Sequence, residues 1–322
     1  MNEHPLPNKQ SQVDDQPLMP YLPTIVREIL PPVSPPIKWA GGKTQLLPAM
    51  SPLFPKIFGR YHEPFLGGGA VFFYLVPQRG VSAYLSDLNP ELINFYRVLC
   101  EQTEDFLTEI RILHEAYLQA SEPEREKMFY QWRNADRLPT FATWSPLRRA
   151  VRFYFLNRTA FNGLYRTNQQ GFFNVPWGRY KKPSLYRPQI LKDAATILQK
   201  FAAKIEISSF EIILEQAQSG DFVYLDPPYA PVSPTASFTT YTKEGFSVEE
   251  QKKLAAVCRE LDQHGVMFLL SNSNIPWIRS LYQGFAIQTV KARRNINSKG
   301  DKRGPISEIL IYNYAPEVKN EQ

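Results

Sequence analysis

A glycine-rich turn followed at a set distance by an acidic strand end constrains the fold of this 322-residue chain more than any other feature. Residues 61–70, Tyr-His-Glu-Pro-Phe-Leu-Gly-Gly-Gly-Ala, lead into the apolar residues 71–76, which is the order of a strand, a turn and a helix. A second short strand ends at Asp87, twenty positions after Gly67. In dinucleotide-binding folds a carboxylate at this spacing holds the ribose hydroxyls. The two signals predict a β-α-β unit of an α/β sheet, and the absence of a full Gly-x-Gly-x-x-Gly pattern favours a nucleoside cofactor without pyrophosphate over NAD.

A second strand end carries groups that are suited to binding a ligand. Residues 222–225 form an apolar run that predicts a short buried strand, and Asp226, Pro227, Pro228 and Tyr229 follow it. In open α/β sheets, ligands bind outside the carboxyl ends of the strands. The prolines end the strand and leave carbonyls that can accept hydrogen bonds from a ligand. A carboxylate, stiff carbonyls and a flat ring suit a planar molecule with an amino group, although an ordinary strand end with a Pro-Pro turn is the alternative.

The composition excludes several classes of protein. No apolar run has the length of a transmembrane helix, and the N-terminus lacks the apolar segment of a secretory signal. The two cysteines, Cys100 and Cys258, and four scattered histidines fit neither a disulfide framework nor a metal site. A net charge of +6 and a pI of about 9.1 suit a polyanionic partner if the basic residues cluster. We therefore expect a cytoplasmic protein that uses no metal and contacts no membrane.

The N-terminal part contains a proline-rich segment and a second glycine motif. Nine prolines fall within the first 36 residues, which predicts a disordered tail over residues 1–34. Residues 37–44, Ile-Lys-Trp-Ala-Gly-Gly-Lys-Thr, end like a P-loop, but that loop needs a glycine where Ile37 stands, and binding of nucleoside triphosphates is rejected. Trp39 and Lys43 beside two glycines suit instead a small ligand with a carboxylate and a flat ring.

A basic and aromatic block lies in the middle of the chain. Residues 91–137 have apolar positions at helical spacing, and a further helix is predicted over residues 145–156. Residues 157–182 then combine Asn, Arg, Lys and aromatic residues around a hairpin-like turn at Gln170 and Gly171. Such side chains reach phosphates, read base edges and fill gaps in a base stack. The clustering favours contact with nucleic acid over the alternative, a solvated basic loop.

The C-terminal half continues the α/β pattern. Helices are predicted over residues 191–201, 209–218 and 247–263, and strands over residues 205–207, 265–270, 285–290 and 308–314. The last two strands predict a hairpin, and its basic tip, residues 291–303, is expected to contact phosphates.

Five motifs, in the order in which they occur along the chain, resemble those of the Dam-type DNA adenine-N6 methyltransferases. This family is the D12 class within the alpha class of amino-methyltransferases. The motifs lie at residues 38–43, 63–69, 86–89, 157–182 and 226–229. The resemblance implies a Rossmann-like sheet of about seven strands, the last one antiparallel, that binds S-adenosyl-L-methionine (AdoMet), with an inserted and mostly helical target-recognition domain. It implies a catalytic domain over residues 35–90 and 190–315, a DNA-recognition domain over residues 91–189, and a second tail over residues 316–322.

The resemblance also implies which residues surround the cofactor and the reacting base. The implied cofactor-binding residues are Trp39, Lys43, Glu63, Pro64, Phe65, Gly67, Gly69, Asp87 and Asp226. The implied catalytic residues are Asp226, Pro227, Pro228 and Tyr229. Asp226 and the carbonyl of Pro227 would accept the two amino hydrogens of adenine, and Tyr229 would stack on a base flipped out of the duplex.

Family members that recognise GATC in double-stranded DNA have residues matching Asn162, Leu164, Arg166, Pro176 and Tyr180. By this resemblance Arg166 would hold a guanine edge, and Leu164 and Pro176 would meet thymine. Phe161 would fill the space left by the flipped base, although family members carry a tyrosine there. The full implied DNA-binding set is Phe161, Asn162, Leu164, Arg166, Asn168, Asn174, Pro176, Arg179, Tyr180, Lys181 and Lys182.

Two other functions remain open at this point. Methyltransferases that act on RNA or on a protein glutamine amide use related Pro-Pro-Tyr motifs, although the basic block is large for a small protein target. A non-catalytic DNA-binding module is the other alternative, although it would need neither the glycine turn nor the Asp-Pro-Pro-Tyr motif. The sequence favours a DNA adenine methyltransferase that acts as a monomer in the cytoplasm, associated with the nucleoid.

Overall fold

A seven-stranded sheet forms the centre of the protein. The computed structural model describes residues 28–230, 246–293 and 305–316. The strands are β1 (Tyr61–Glu63), β2 (Ala83–Asp87), β3 (Ala202–Ile207), β4 (Phe222–Leu225), β5 (Met267–Ser273), β6 (Ala286–Arg293) and β7 (Pro305–Tyr312). Their order in the sheet is β3-β2-β1-β4-β5-β7-β6, and among the described strands only β7 runs opposite to the other six. The predicted α/β sheet with a reversed last strand is confirmed.

Helices fill most of the chain between the strands. They are α1 (Leu47–Met50), α2 (Ala70–Arg79), α3 (Pro90–Glu101), α4 (Thr103–Gln119), α5 (Glu122–Asn134), α6 (Pro146–Thr159), α7 (Pro188–Phe201), α8 (Ile213–Gln216), α9 (Val248–Gln263) and α10 (Pro276–Leu281). Short 3-10 turns cover Lys43–Gln45, Ser51–Leu53, Ala135–Arg137, Pro139–Thr143, Phe161–Gly163 and Phe210–Ile212. The sequence did not predict α10, and it predicted one helix over residues 209–218 where a 3-10 turn precedes the short α8.

Helices cover both faces of the sheet, and alternate side chains of its central strands pack against the two helical layers. In β4, Phe222 and Tyr224 belong to one core cluster with residues of α2, α3 and α7. Val223 and Leu225 belong to a second cluster, with residues of α9 and α10. All four of these side chains are buried, as expected for a parallel strand between two helical layers.

A third core cluster lies in the middle of the chain. It contains Tyr117 of α4, Phe129 of α5 and Phe155 of α6, and it continues into the basic block with Phe173 and Trp177. Helix α3, in contrast, shares the first cluster with the sheet. The domain boundaries inferred from the sequence, with a break at residue 91, stay predictions.

The predicted N-terminal tail needs a correction at its end. Leu30 and Val33 pack against the first cluster, and their amides donate hydrogen bonds to the carbonyls of Pro77 and Phe73, at 2.9 and 3.1 Å. Pro77 lies inside α2 and has no N–H to donate to the carbonyl of Phe73, four residues earlier. The extended segment supplies the missing donor. Within residues 28–34 the chain is therefore attached to α2 at Leu30 and Val33, while residues 1–27 lie outside the described part of the chain.

No helix in the described ranges is both long enough and apolar enough to cross a membrane. Both cysteines are free thiols. Most of the basic tip predicted over residues 291–303 lies outside the described residues, as do residues 317–322 of the tail predicted over residues 316–322.

Candidate active site

Three strand ends meet at one edge of the sheet. β1 pairs in parallel with β2 on one side and with β4 on the other. The carboxyl ends of these strands therefore point the same way, and the glycine turn, Asp87 and Asp226 follow them. The three features that the sequence associated with a cofactor and with catalysis come together at this edge.

The glycine turn and Asp87 are joined by a hydrogen bond. The amide of Gly67 donates to Oδ2 of Asp87 at 3.0 Å, and the amide of Asn89 donates to Oδ1 at 2.9 Å. Burial raises the pKa of the Asp87 carboxyl, while these amide donors act in the opposite direction. Gly67 has φ +47°, and a Cβ there would lie 2.7 Å from Cδ1 of Trp39. A glycine is therefore required both by the left-handed backbone and by the close approach of the indole.

Lys43 connects the N-terminal motif to the Asp-Pro-Pro-Tyr motif. Its side chain is 5% exposed, and Nζ lies 2.7 Å from Oδ1 of Asp226 and 2.7 Å from the carbonyl oxygen of Gly41. The same ammonium lies 4.8 Å from the centre of the Tyr229 ring. Asp226 and Tyr229 together thus already accommodate one nitrogen donor.

The two oxygens of Asp226 have different surroundings. Oδ1 accepts from Lys43 and also from the hydroxyl of Ser271, at 2.9 Å. Within the described ranges, neither a hydrogen bond nor an ion pair involves Oδ2. The carbonyl of Pro228 accepts from Nε2 of Gln251 at 3.0 Å, whereas among the described residues the carbonyl of Pro227 has no donor. The motif keeps two acceptors, Oδ2 and the Pro227 carbonyl, for a ligand.

Glu63 is a buried carboxyl beneath the glycine turn. Its Oε2 accepts from the hydroxyl of Tyr61 at 2.8 Å and from the amide of Phe72, in the first turn of α2, at 3.1 Å. Burial raises the pKa of Glu63 to about 8, and the nearby Asp226 and Asp87 carboxylates act in the same direction. The next residue, Pro64, is also buried.

Two other residues of the turn have packing contacts. Phe65 stacks on Phe210 with ring centres 5.5 Å apart and meets the edge of Phe246 at 5.7 Å. Gly69 precedes α2 with φ +67°, and a Cβ there would come within 3.0 Å of the Phe73 ring. These contacts fix the turn against the second cluster and against α2.

Several polar residues around the site were missed by the sequence reasoning. They surround the Asp-Pro-Pro-Tyr motif: Tyr224, Gln251, Ser271, Ser273 and Glu308. The signal for two of them was the polar run at residues 271–274, which ends the apolar strand β5. Gln251 lies within a helical pattern and Glu308 within a terminal strand, where one polar residue is not distinctive.

Four of the candidate DNA-reading residues form two pairs across the hairpin-like turn. Arg166 donates through Nε to Oδ1 of Asn174 at 2.8 Å, and the amide of Asn174 donates to the carbonyl of Arg166 at 3.0 Å. The amide of Phe161 donates to the carbonyl of Pro176 at 2.9 Å. Phe161 is 50% exposed, and Arg166 is exposed at the hairpin. Exposed aromatic and guanidinium groups are available for bases.

The remaining candidate DNA-reading residues differ from one another in exposure and in backbone conformation. Asn168 stabilises the hairpin turn, because its Oδ1 accepts from the amides of Gln170 and Phe172 at 3.1 and 3.0 Å. Asn162 and Arg179 both have positive φ, 55° and 54°. Such a backbone costs free energy for a non-glycine residue and is common at ligand-binding positions. Leu164 and Tyr180 are half-buried, and Lys181 and Lys182 are exposed.

Two contacts link the N-terminal motif to the recognition block. Asn157 of α6 accepts from the amide of Lys38 at 3.0 Å and donates Nδ2 to the Lys38 carbonyl at 2.6 Å. Trp39 stacks on Tyr165, with ring centres 5.9 Å apart and an interplanar angle of 21°. The segment that packs on the glycine turn therefore also packs on the block that carries the DNA-reading candidates. Within the described residues, no group of His, Cys, Asp and Glu side chains could hold a metal ion.

Comparisons with known proteins give the family. Residues 39–296 match the model of the D12 class N6 adenine-specific DNA methyltransferases. The chain is 42% identical over 278 residues to the type II methyltransferase M1.LlaDCHI of Lactococcus lactis subsp. cremoris, over 86% of this chain and 94% of that protein. It is 41% identical to the type II methyltransferase M.MjaIII of Methanocaldococcus jannaschii, over 88% and 99% of the two chains. It is 36% identical to the DNA adenine methylase of Escherichia coli (strain K12), over 88% and 95%. The resemblance drawn from the five motifs is confirmed, and the chain belongs to the D12 class of N6 adenine-specific DNA methyltransferases.

Proposed function

We propose that the protein transfers a methyl group from AdoMet to N6 of an adenine that is flipped out of double-stranded DNA, within GATC sites. The observation that carries the proposal is the state of the Asp-Pro-Pro-Tyr motif. Lys43 and Ser271 hold Oδ1 of Asp226, while Oδ2 and the Pro227 carbonyl have no protein donor among the described residues. Two fixed acceptors beside an aromatic ring match a planar base with one amino group.

The acceptors address the chemical difficulty of the reaction. The exocyclic nitrogen of adenine is a weak nucleophile, because its lone pair is delocalised into the ring. Acceptors on both hydrogens, Oδ2 of Asp226 and the carbonyl of Pro227, favour a nitrogen whose lone pair points out of the ring plane. Oδ2 of Asp226 and the Pro227 carbonyl would hold this nitrogen in line with the methyl group, and one nitrogen proton would pass through Oδ2 to solvent while the cofactor's sulfur would leave as a neutral thioether. Catalysis by orientation and fixed dipoles is sufficient for such a step.

The glycine turn fits a cofactor of this kind. AdoMet, when bound, supplies a methyl group on a positively charged sulfur. The carboxylate of Asp87 is held at the end of β2 by the Gly67 amide, where it can accept from ribose hydroxyls. Trp39, Lys43, Glu63 and residues 64–69 would surround the rest of the molecule.

The exposed residues support the proposal of base flipping and sequence reading. Tyr229 offers a ring beside Asp226 on which an extruded adenine can stack. Exposed Phe161 can fill the gap left in the duplex, and Arg166 can bind a guanine edge through the nitrogens that Asn174 does not use. Lys181 and Lys182 would contact phosphates. The match at Asn162, Leu164, Arg166, Pro176 and Tyr180 supports GATC as the target.

Methyl transfer from labelled AdoMet to duplex DNA, RNA or protein tests the proposal directly. We expect label in duplex DNA, at N6 of adenine, and sequencing of the modified adenines should return GATC. Label in RNA or in a protein glutamine side chain would show that this molecule, and not DNA, is the substrate. Methylation of DNA at another adenine-containing site would reject only the GATC assignment.

Asp226→Asn tests the assignment of the acceptor. Because the amide has only one acceptor oxygen and adds a donor, we expect the single-turnover rate to fall by about a hundredfold or more. Binding of AdoMet and of DNA should change by only a few-fold. Asp105→Ala, at an exposed position in α4, is the matched control and should retain the wild-type rate. Near-normal turnover by Asp226→Asn would overturn this mechanism.

A further inference from the structure

We infer that Glu308 is a positioning residue that fixes the ring of Tyr229 through a hydrogen bond from the phenol, so that the ring is preset to stack on the target base. The inference rests on the proposed function and deepens it. The hydroxyl of Tyr229 donates to Oε2 of Glu308 at 2.7 Å. No motif of the sequence pointed to Glu308.

The reversed last strand explains why Glu308 reaches the active edge. β7 is antiparallel to β5, and Glu308 stands opposite Ser273, at the carboxyl end of β5. The beginning of β7 therefore lies beside the ends of the parallel strands, where Asp226 and Tyr229 follow β4. A parallel last strand would place its beginning at the opposite edge of the sheet.

The backbone around Tyr229 is fixed independently of Glu308. Gln251 donates to the carbonyl of Pro228 at 3.0 Å, and the hydroxyl of Ser273 donates to the carbonyl of Ala230 at 2.6 Å. These bonds hold the chain on both sides of Tyr229, but they leave the rotation of its side chain open. Glu308 accepts the hydrogen bond from the Tyr229 hydroxyl and so restricts this rotation, and the Ser271 side chain also bonds to the same hydroxyl.

The electrostatic surroundings keep the phenol a donor. Burial raises the pKa of Tyr229 well above its usual value, and the charges of Asp226 and Glu308 raise it further. A raised pKa favours the protonated hydroxyl, which is the form that donates to Glu308. On the ring itself, the Lys43 ammonium lies 4.8 Å from the centre. The hydroxyl end and the ring are therefore held by different groups.

A stacking surface that is fixed before the base arrives lowers the entropy lost on reaching the reactive geometry. The amino group must meet Oδ2 of Asp226 and the Pro227 carbonyl together, and a tilted ring would shift the base away from both. Loss of the hydrogen bond should therefore slow methyl transfer more than it weakens the binding of AdoMet.

A set of four variants tests the inference: Glu308→Ala, Glu308→Gln, Tyr229→Phe and the double variant of Glu308→Ala with Tyr229→Phe. We expect Glu308→Ala and Tyr229→Phe each to lower the single-turnover rate by about tenfold. The double variant should be no slower than Tyr229→Phe alone, because that substitution already removes the bond to Glu308. Glu308→Gln, which keeps an acceptor oxygen, should recover most of the rate. The dissociation constant of AdoMet should stay within about twofold in every variant.

A fluorescent base reports on the ring directly. With 2-aminopurine at the target position, stacking on Tyr229 quenches the emission of the flipped base, and Glu308→Ala should make the complex brighter than wild type. Rate losses that multiply in the double variant, or a Tyr229→Phe protein with the wild-type rate, would overturn the inference. If Glu308→Ala does not fold, Tyr229→Phe and Glu308→Gln still decide it, because both preserve the packing.

The result also separates the inference from the proposed function. A wild-type protein that methylates DNA while Glu308→Ala keeps the same rate and emission overturns the inference alone. A wild-type protein that transfers no methyl group to DNA overturns the proposed function and the inference together.

Discussion

At the scale of single residues, Glu63 shows how burial changes the chemistry of the site. Its side chain is almost completely buried, and its pKa of about 8 makes it mostly neutral at pH 7. Oε2 accepts from Tyr61 and from the amide of Phe72. The second of these bonds satisfies one of the free N–H groups at the start of α2. Glu63 therefore joins β1 to the helix that follows the glycine turn, whatever else it contacts when a cofactor binds.

Glu63→Gln should change how stability depends on pH. An unfolded Glu titrates near 4.3, so between about pH 4.3 and 8 the folded wild type binds a proton that the unfolded chain releases. This contribution of Glu63 is fully present below about pH 4.3 and is lost as the pH rises through about 8. Glutamine has no such titration. The free energy of unfolding of Glu63→Gln, relative to wild type, should rise between pH 5 and pH 8 by on the order of a few kcal/mol.

Urea unfolding at pH 5, 6.5 and 8 measures this difference. Glu109→Gln, at an exposed position of α4, is the matched control and should differ from wild type by the same amount at each pH. A Glu63→Gln curve parallel to that of wild type across this range would show that the buried carboxyl is not neutral in the folded protein.

At the scale of elements, the contact between the N-terminal segment and α2 compensates for a helix proline. Pro77 leaves the carbonyl of Phe73 without its helical donor, and the amide of Val33 takes that place. Leu30 adds a second hydrogen bond and an apolar contact. A segment that contains four prolines in residues 31–36 thus has a specific partner in the fold.

Truncation at two points tests this contact. A protein that begins at residue 28 keeps both hydrogen bonds, so this contact should contribute as much to its free energy of unfolding as it does in the full chain. A protein that begins at residue 35 loses them, together with the burial of Leu30 and Val33, and should lose about 2–4 kcal/mol of unfolding free energy. Urea unfolding compares the two. Equal midpoints would show that the segment does not stabilise α2.

At the element scale, a helix, strand or contact could be predicted from the sequence where the residues that determine it lie close together in the chain. The spacing of Gly67 and Asp87 was sufficient to predict β1, β2 and the turn, because all three lie within one β-α-β unit. The position of Asp226 followed from the apolar run of β4. The packing of Val33 could not be predicted, because its partner is a carbonyl freed by a proline more than forty residues later. Composition alone made the segment resemble a disordered tail.

The same distinction applies to the candidate site. Ser271 lies at the polar end of an apolar strand, so a pattern that marks a site was present. Glu308 had no such mark, since its position near Tyr229 depends on the direction of β7 and on the strand order of the whole sheet. Tertiary contacts of this kind are set by strand pairing across the entire chain, which no local window contains.

At the scale of the whole molecule, Trp39 joins the two parts that the reaction must bring together. Its indole packs against Gly67 of the glycine turn, where an added Cβ would lie 2.7 Å from Cδ1, and its Cβ packs against Gly68, where an added Cβ would lie 3.1 Å away. The ring also stacks on Tyr165, which lies between the DNA-reading candidates Leu164 and Arg166. Tyr165 in turn meets the edge of Phe173 across the hairpin, with ring centres 5.4 Å apart.

Trp39→Ala should therefore weaken two ligands at once. Removing the indole takes away the packing of the glycine turn and the support of Tyr165, so we expect the affinities for AdoMet and for duplex DNA each to fall by about tenfold, near 1.4 kcal/mol. Calorimetry measures the first affinity and fluorescence anisotropy the second. Trp277→Ala, whose ring packs in the second core cluster, is the matched control and should leave both affinities near those of wild type. Loss of AdoMet binding with unchanged DNA binding would mean that Trp39 serves the cofactor alone, and that the stack on Tyr165 does not support the DNA-reading hairpin.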